Sequence, residues 1–188
     1  MKKLILSVLC LILLLLVTSV SFADEIYFTR CNIKVLKGNQ ITWVNWQAAP
    51  YTIPVGTKLK VTRKGDSATF VREDNGESYK VDLGADGDAY LEKFVSTKPV
   101  NISKFPKDVQ SNIDKGIAKA GMTKEQAFIA MGAPSTLLSG RTEKMTLEEI
   151  MKADNWIYSR RRFGKNIGVE FDPKTGKVIR TEGIWGKD

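Results

Sequence analysis

The stretch from Gly121 to Pro134 carries its own start and stop. The Thr123 hydroxyl is placed to accept from the Gln126 amide, and the Gln126 side chain can reach back to the Thr123 amide, a Thr-x-x-Gln capping box. Gly132 supplies the left-handed residue that ends a helix, and Pro134 bars its resumption. A short helix with fixed ends is predicted, entered through a tight turn at Gly121. It holds no catalytic group, so its role is architectural.

The chain around this helix divides by periodicity. Pro106 suits a first helical turn, and Val109, Ile113, Ile117 and Ala120 fall on one stripe, which predicts a helix of about four turns. Gly116 inside it weakens that helix by ~1 kcal/mol and hints at close packing. A second capping box, Thr146 to Glu149, opens a short helix through Lys152 within a longer connection. Strands follow at Asn155–Arg160, Ile167–Phe171 and Val178–Ile184, the last two joined by an Asp172-Pro173…Gly176 hairpin. This order implies an antiparallel sheet with helices on one face.

Before residue 96 the signals are nearly all β. Short apolar runs lie at 26–29, 31–36, 41–46, 57–61, 68–71 and 78–83, and Asn75-Gly76 is the clearest hairpin turn. Strands so short and close predict a small antiparallel barrel or sandwich. Residues 96–101, polar and holding Pro99, read as a linker. The fold class expected is α+β, a barrel over 24–98 followed by an α-α-β-β-β domain over 101–188.

The N-terminus bears on compartment. Lys2 and Lys3 precede an apolar run from Leu4 to Val17, and Ser21-Phe22-Ala23 is a small-x-small site, the pattern of a signal peptide over residues 1–23 cleaved after Ala23. The expected location is periplasmic or secreted; an uncleaved anchor is the alternative. Cys10 sits within the apolar run behind Leu9, where lipid modification requires a small residue. Removing the leader takes Lys2 and Lys3 from 29 basic residues, leaving 27 against 21 acidic, net +6. Most of that excess follows residue 100. An anionic envelope component (lipid headgroup, lipopolysaccharide or cell-wall polymer) or an envelope protein is the partner this implies; nucleic acid is excluded by compartment. A solvated basic surface is the plainer alternative. Cys31 is the one cysteine left after processing, so it forms no disulfide within the chain, and its spacing to Ile33 and Val35 predicts burial.

With no histidine in the chain, Ser-His-Asp triads, Cys-His pairs and most catalytic zinc sites are excluded. Asp82, Asp86, Gly87 and Asp88 superficially resemble a calcium loop, but Gly84 and Lys93 stand where it needs oxygen ligands, so the segment reads as an acidic turn. Glu148 and Glu149 are adjacent on a helix and point apart, which is unsuited to paired-carboxylate hydrolysis. No cofactor or metal is implied. The binding candidates are Arg160, Arg161, Arg162 and Lys165, the densest basic run, and Trp43 and Trp46. The arginines are bidentate donors suited to a carboxylate, a phosphate or an acidic surface, unless they only decorate an exposed hairpin. On a regular strand the two tryptophans would occupy opposite faces, one of them exposed. The plainer reading of Trp43, Trp46, Trp156, Tyr158 and Trp185 is as core residues rather than a ligand platform.

Two resemblances add to this. Pro54-Val55-Gly56-Thr57-Lys58-Leu59-Lys60-Val61 and Asn75-Gly76…Tyr79-Lys80-Val81 resemble the cadence of bacterial Src-homology-3-like barrels. Gly121-Met122-Thr123-Lys124-Glu125-Gln126-Ala127, Met131-Gly132-Ala133-Pro134, Trp156-Ile157-Tyr158 and Val169-Glu170-Phe171-Asp172 with Gly176-Lys177-Val178 resemble the BamE (SmpA/OmlA) family of outer-membrane assembly factors. That family shares an α-α-β-β-β fold with the β-lactamase-inhibitor proteins. The resemblance implies a non-enzymatic envelope binding or scaffold protein that assists outer-membrane or envelope assembly. An inhibitor of a hydrolase is the alternative within that fold, and a hydrolase with an unfamiliar carboxylate site is a third. Three features depart from the assembly factors: no usable lipidation cysteine, a long loop after Pro134, and the barrel in front.

Overall fold

The computed structural model describes residues 25–84, 87–160 and 165–182; the signal-peptide segment and Arg161, Arg162 and Trp185 lie outside them. Within those residues the fold is mixed α+β, with four helices and several antiparallel sheets. No helix among them is long and apolar enough to cross a membrane.

Strict alternation builds the first sheet. Leu59 and Val61 of β5 (Lys58–Lys64), Ala68 and Phe70 of β6 (Ser67–Arg72), and Tyr79 and Val81 of β7 (Ser78–Asp82) are buried on one face. The Asn75-Gly76 turn joins β6 to β7 as predicted, with Gly76 at φ 73° donating to the Arg72 carbonyl at 3.0 Å. β1 (Glu25–Thr29) pairs antiparallel with β5 and with β8 (Val95–Ser96). β3 (Gln40–Ile41) adds to β7 in parallel, giving the order β3-β7-β6-β5-β1-β8 in a curled half-barrel. β2 (Ile33–Val35) and β4 (Tyr51–Ile53) form a separate antiparallel pair.

Three local expectations change. The alternating run 41–46 is a strand only through Ile41; the Thr42 hydroxyl bonds the Val44 carbonyl at 3.1 Å, and such local bonding competes with a sheet ladder. A helix not anticipated from the sequence, α1 (Gly87–Phe94), buries Tyr90, Lys93 and Phe94 at helical spacing, and the lysine in that stripe disguises it. The helix expected over four turns, α2 (Lys107–Asp114), is shorter. Gly116 at φ 68° ends it: the Gly116 amide bonds the Ile113 carbonyl and the Ile117 amide that of Asn112, a Schellman pair. Val109 and Ile113 are buried as expected, whereas Ile117 lies beyond the helix.

Both capping boxes form. α3 (Lys124–Met131) starts at Thr123, whose hydroxyl accepts from the Gln126 amide at 3.2 Å while Gln126 Oε1 accepts from the Thr123 amide at 2.9 Å. α4 (Leu147–Lys152) starts likewise at Thr146. The second sheet has five strands rather than three. β9 (Thr136–Leu137) and β10 (Gly140–Arg141), a hairpin from the long loop, extend β11 (Asn155–Tyr158), β12 (Ile167–Phe171) and β13 (Val178–Glu182) in the order β10-β9-β11-β12-β13. Trp156 and Tyr158 are buried, as expected. The Trp156 ring meets Phe128 of α3 edge-on at 6.3 Å and Phe171 at 4.6 Å.

Buried amides fasten the chain before residue 96 to the chain after it. A helix leaves its last four carbonyls without partners. In α3 each has one: Phe128 from the Gly132 amide, Ile129 from the Asn32 amide, Ala130 from Asn32 Nδ2, and Met131 from Asn45 Nδ2 and Gln47 Nε2. Asn32 Nδ2 also bonds the Ile113 carbonyl near the end of α2, and Asn32 Oδ1 accepts from the Val55 amide. Asn45 Oδ1 accepts from the Lys34 amide. One apolar cluster continues across this seam, from Cys31 and Ile33 to Met131 and Val178.

Candidate binding groove

The irregular segment that replaces the expected strand forms one wall of a surface groove. Its residues are Thr42, Trp43, Val44 and Trp46, facing Ser135, Thr136, Arg141 and Ser159, with Asp82 at the end of β7. The volume is about 470 Å³, within the ~300–1,000 Å³ common for small-ligand sites. Because the strand ends at Ile41, Trp43 and Trp46 do not take opposite sheet faces. Both are half-buried and line the same groove.

Each tryptophan is held. Trp43 packs on the core, and the Arg141 guanidinium lies 4.7 Å from its ring centroid, a cation–π contact. Arg141 Nη2 is 3.6 Å from Glu143 Oε2, with the Arg141 side chain 68% exposed. Trp46 Nε1 donates to Thr42 Oγ1 at 3.1 Å, and the Gln47 amide donates to the Ser159 carbonyl at 3.1 Å, tying this wall to the end of β11.

The opposite wall is set by serines. Ser135 Oγ donates to the Ile157 carbonyl at 3.0 Å, accepts from the Ser159 amide at 3.1 Å, and lies 2.7 Å from Ser159 Oγ. Either hydroxyl can be the donor in this pair, so Ser159 can present a proton or a lone pair to the groove. The Ser135 carbonyl accepts from the Thr142 amide, and the Thr142 hydroxyl donates to the Pro134 carbonyl, fixing the loop that carries Arg141.

Behind that loop sits Lys93, 2% exposed. Its ammonium donates to the carbonyls of Thr142, Glu143 and Met145 at 2.9, 3.0 and 3.0 Å. A charge so buried is tolerable because all three donors are used. Through it, α1 holds the backbone on which Arg141 is mounted.

The basic run is elsewhere. Arg160 lies two residues beyond the end of β11, not within a strand, and lines a smaller pocket of about 300 Å³ with Ile117, Met131 and Ile167. Lys165 is exposed. Arg161 and Arg162 are outside the described residues. Cys31 is fully buried, and desolvation pushes its thiol up to about 12. Glu149 is engaged in capping at the Thr146 amide, which holds its carboxyl below the usual range, and Glu148 pairs with Lys152 at 2.6 Å. Among the described residues no group of three or more Cys, Asp or Glu is placed to hold a metal ion.

The sequence pointed to Trp43 and Trp46 but not to Ser135, Arg141 or Ser159, and Asp82 read only as part of an acidic turn. These are isolated polar residues in three separate segments, with no motif to join them. No family model, curated protein or solved structure matches the chain.

Proposed function

We propose that this chain is a non-enzymatic binding or scaffold protein of the cell envelope, exported behind a signal peptide at residues 1–23. In this reading the half-barrel is the body of a small β-barrel unit, residues 24–98. The following α-α-β-β-β unit, residues 101–188, is of BamE-like type. The observation that supports a binding role is the groove itself: two tryptophans, an arginine and hydroxyls from distant segments converge at the surface, each locked by its own contacts. Pre-ordered aromatic and polar groups lower the entropic cost of binding. The arginine run from 160 to 162 with Lys165 is a second contact surface, for an acidic protein face or an anionic envelope component.

Affinity capture from envelope extract tests this. The mature chain is expected to retain outer-membrane assembly components or another envelope partner. Replacing Arg160, Arg161 and Arg162 by Ser is expected to weaken that capture in a salt-dependent way. Retention of a single hydrolase instead would move the reading to an inhibitor. Cleavage of a cell-wall or glycan substrate by the purified protein would overturn the non-enzymatic assignment.

A further inference from the structure

We infer that the Trp43–Trp46 groove is a binding site for a near-neutral oligosaccharide, which deepens the envelope-binding reading and rests on it. The hydrogen-bonding capacity left in the groove decides the ligand class. Ser135 Oγ is engaged with Ile157, the Ser159 amide and the Ser159 hydroxyl, and Ser159 Oγ can either accept from or donate to a ligand. Thr42 Oγ1 gives its proton to Val44 and accepts from Trp46 Nε1, which leaves one lone pair. Asp82 holds the Gly84 amide at 3.0 Å through Oδ1 and offers its other oxygen. Among the described lining residues, Thr42 and Asp82 thus supply acceptors, Ser159 can serve as either, and Arg141 is a donor.

An anion finds little here. Arg141, the one cation among the groove's described lining residues, is already engaged with the Trp43 ring and lies beside Glu143, and Asp82 offsets its charge. Phosphates and carboxylates bring only acceptors, which Asp82 and Thr42 cannot meet with a proton. An extended peptide would need a strand edge for its backbone, and β10 offers two residues. A sugar ring fits both requirements. Its hydroxyls donate to Ser159, Thr42 and Asp82 and accept from Arg141. Its flat C–H face packs on an indole, whose negative π-face favours polarised hydrogens. Trp46 is the indole for that role, since one face of Trp43 already carries Arg141.

The test titrates the purified mature chain with neutral hexose oligomers, with N-acetylhexosamine oligomers and, as the anionic control, with a sugar phosphate, read by tryptophan emission and calorimetry. A neutral oligomer is expected to bind with an affinity insensitive to salt. Trp46→Ala should lose at least about tenfold in affinity, the effect of removing a central aromatic anchor, with Trp46→Phe recovering part of it. Ser159→Ala, which leaves the indoles in place, should weaken binding at a temperature where the variant, which also loses the Ser135–Ser159 hydroxyl bond, is still folded. Absence of binding by any neutral oligomer, preference for the sugar phosphate, or unchanged affinity in Trp46→Ala would each overturn the assignment. If envelope capture persists while the sugars fail, only the groove assignment falls. If sugars bind but no envelope partner is captured, the envelope reading falls and the groove stands.

Discussion

Gly132 meets two constraints at once. Its φ of 74° with ψ of −163° lies in a region that other residues rarely adopt, and an added Cβ would stand 2.3 Å from Asn45 Nδ2 and 3.3 Å from Cys31 Sγ. Its carbonyl also accepts from the Tyr158 hydroxyl at 3.0 Å. Gly132→Ala should therefore cost at least about 2–3 kcal/mol, measurable by chemical denaturation, because backbone strain and overpacking act together. Asn45→Ala should cost about 1–3 kcal/mol by leaving the Met131 carbonyl and the Lys34 amide short of partners. Cys31, buried with its thiol raised to about 12, stays protonated through neutral pH. It should resist thiol reagents in the native protein and react only on unfolding, a difference that mass spectrometry resolves.

Helix caps and turns carry the next set of effects. Thr123→Ala should destabilise by ~1 kcal/mol and Thr146→Ala by a similar amount, since each removes one half of a reciprocal cap. The Asp172 carboxylate accepts from the Thr175 and Lys174 amides at the β12–β13 turn, and these bonds hold its folded pKa below the usual 3.8. A depressed folded pKa contributes stability that is present above the unfolded value and lost as pH falls through the folded one. The acid limb of the stability–pH curve below about pH 4 should therefore flatten in Asp172→Asn. These elements were legible because each is local: Thr-x-x-Gln, Thr-x-x-Glu, Asn-Gly and Asp-Pro…Gly act within a few residues. The strand expected over 41–46 failed for the complementary reason. Its alternation was real, but Thr42 and Asn45 spend their polar groups on bonds that bend the chain away from a ladder.

Across the molecule the seam is the deciding feature. Asn32 and Asn45, together with Gln47, terminate α3, and Lys93 secures the Thr142–Met145 loop, so regions that differ in composition share hydrogen bonds and core. Denaturation followed at once by tryptophan emission and far-ultraviolet dichroism should give coincident transitions. Lys93→Met should cost at least about 2 kcal/mol, because three carbonyls lose their donor. By displacing Arg141 it should also weaken ligand binding more than Asp172→Asn does.

Read alone, the amino-acid order settled those features whose energetics are short-range. They are the alternating strands β5 to β7, both capping boxes, the two hairpin turns, and burial of Cys31, Trp156 and Tyr158. Nothing local marked Asn32, Asn45 or Lys93 as buried polar links, since each reads as an ordinary surface residue until its partners, up to 98 positions away, are brought to it. The groove follows the same logic. Trp43 and Trp46 stand out by type, but Ser135, Arg141, Ser159 and Asp82 join them only when the two sheets are packed together. Desolvation makes these contacts selective: a buried amide or ammonium must find every partner, and only the folded chain supplies them.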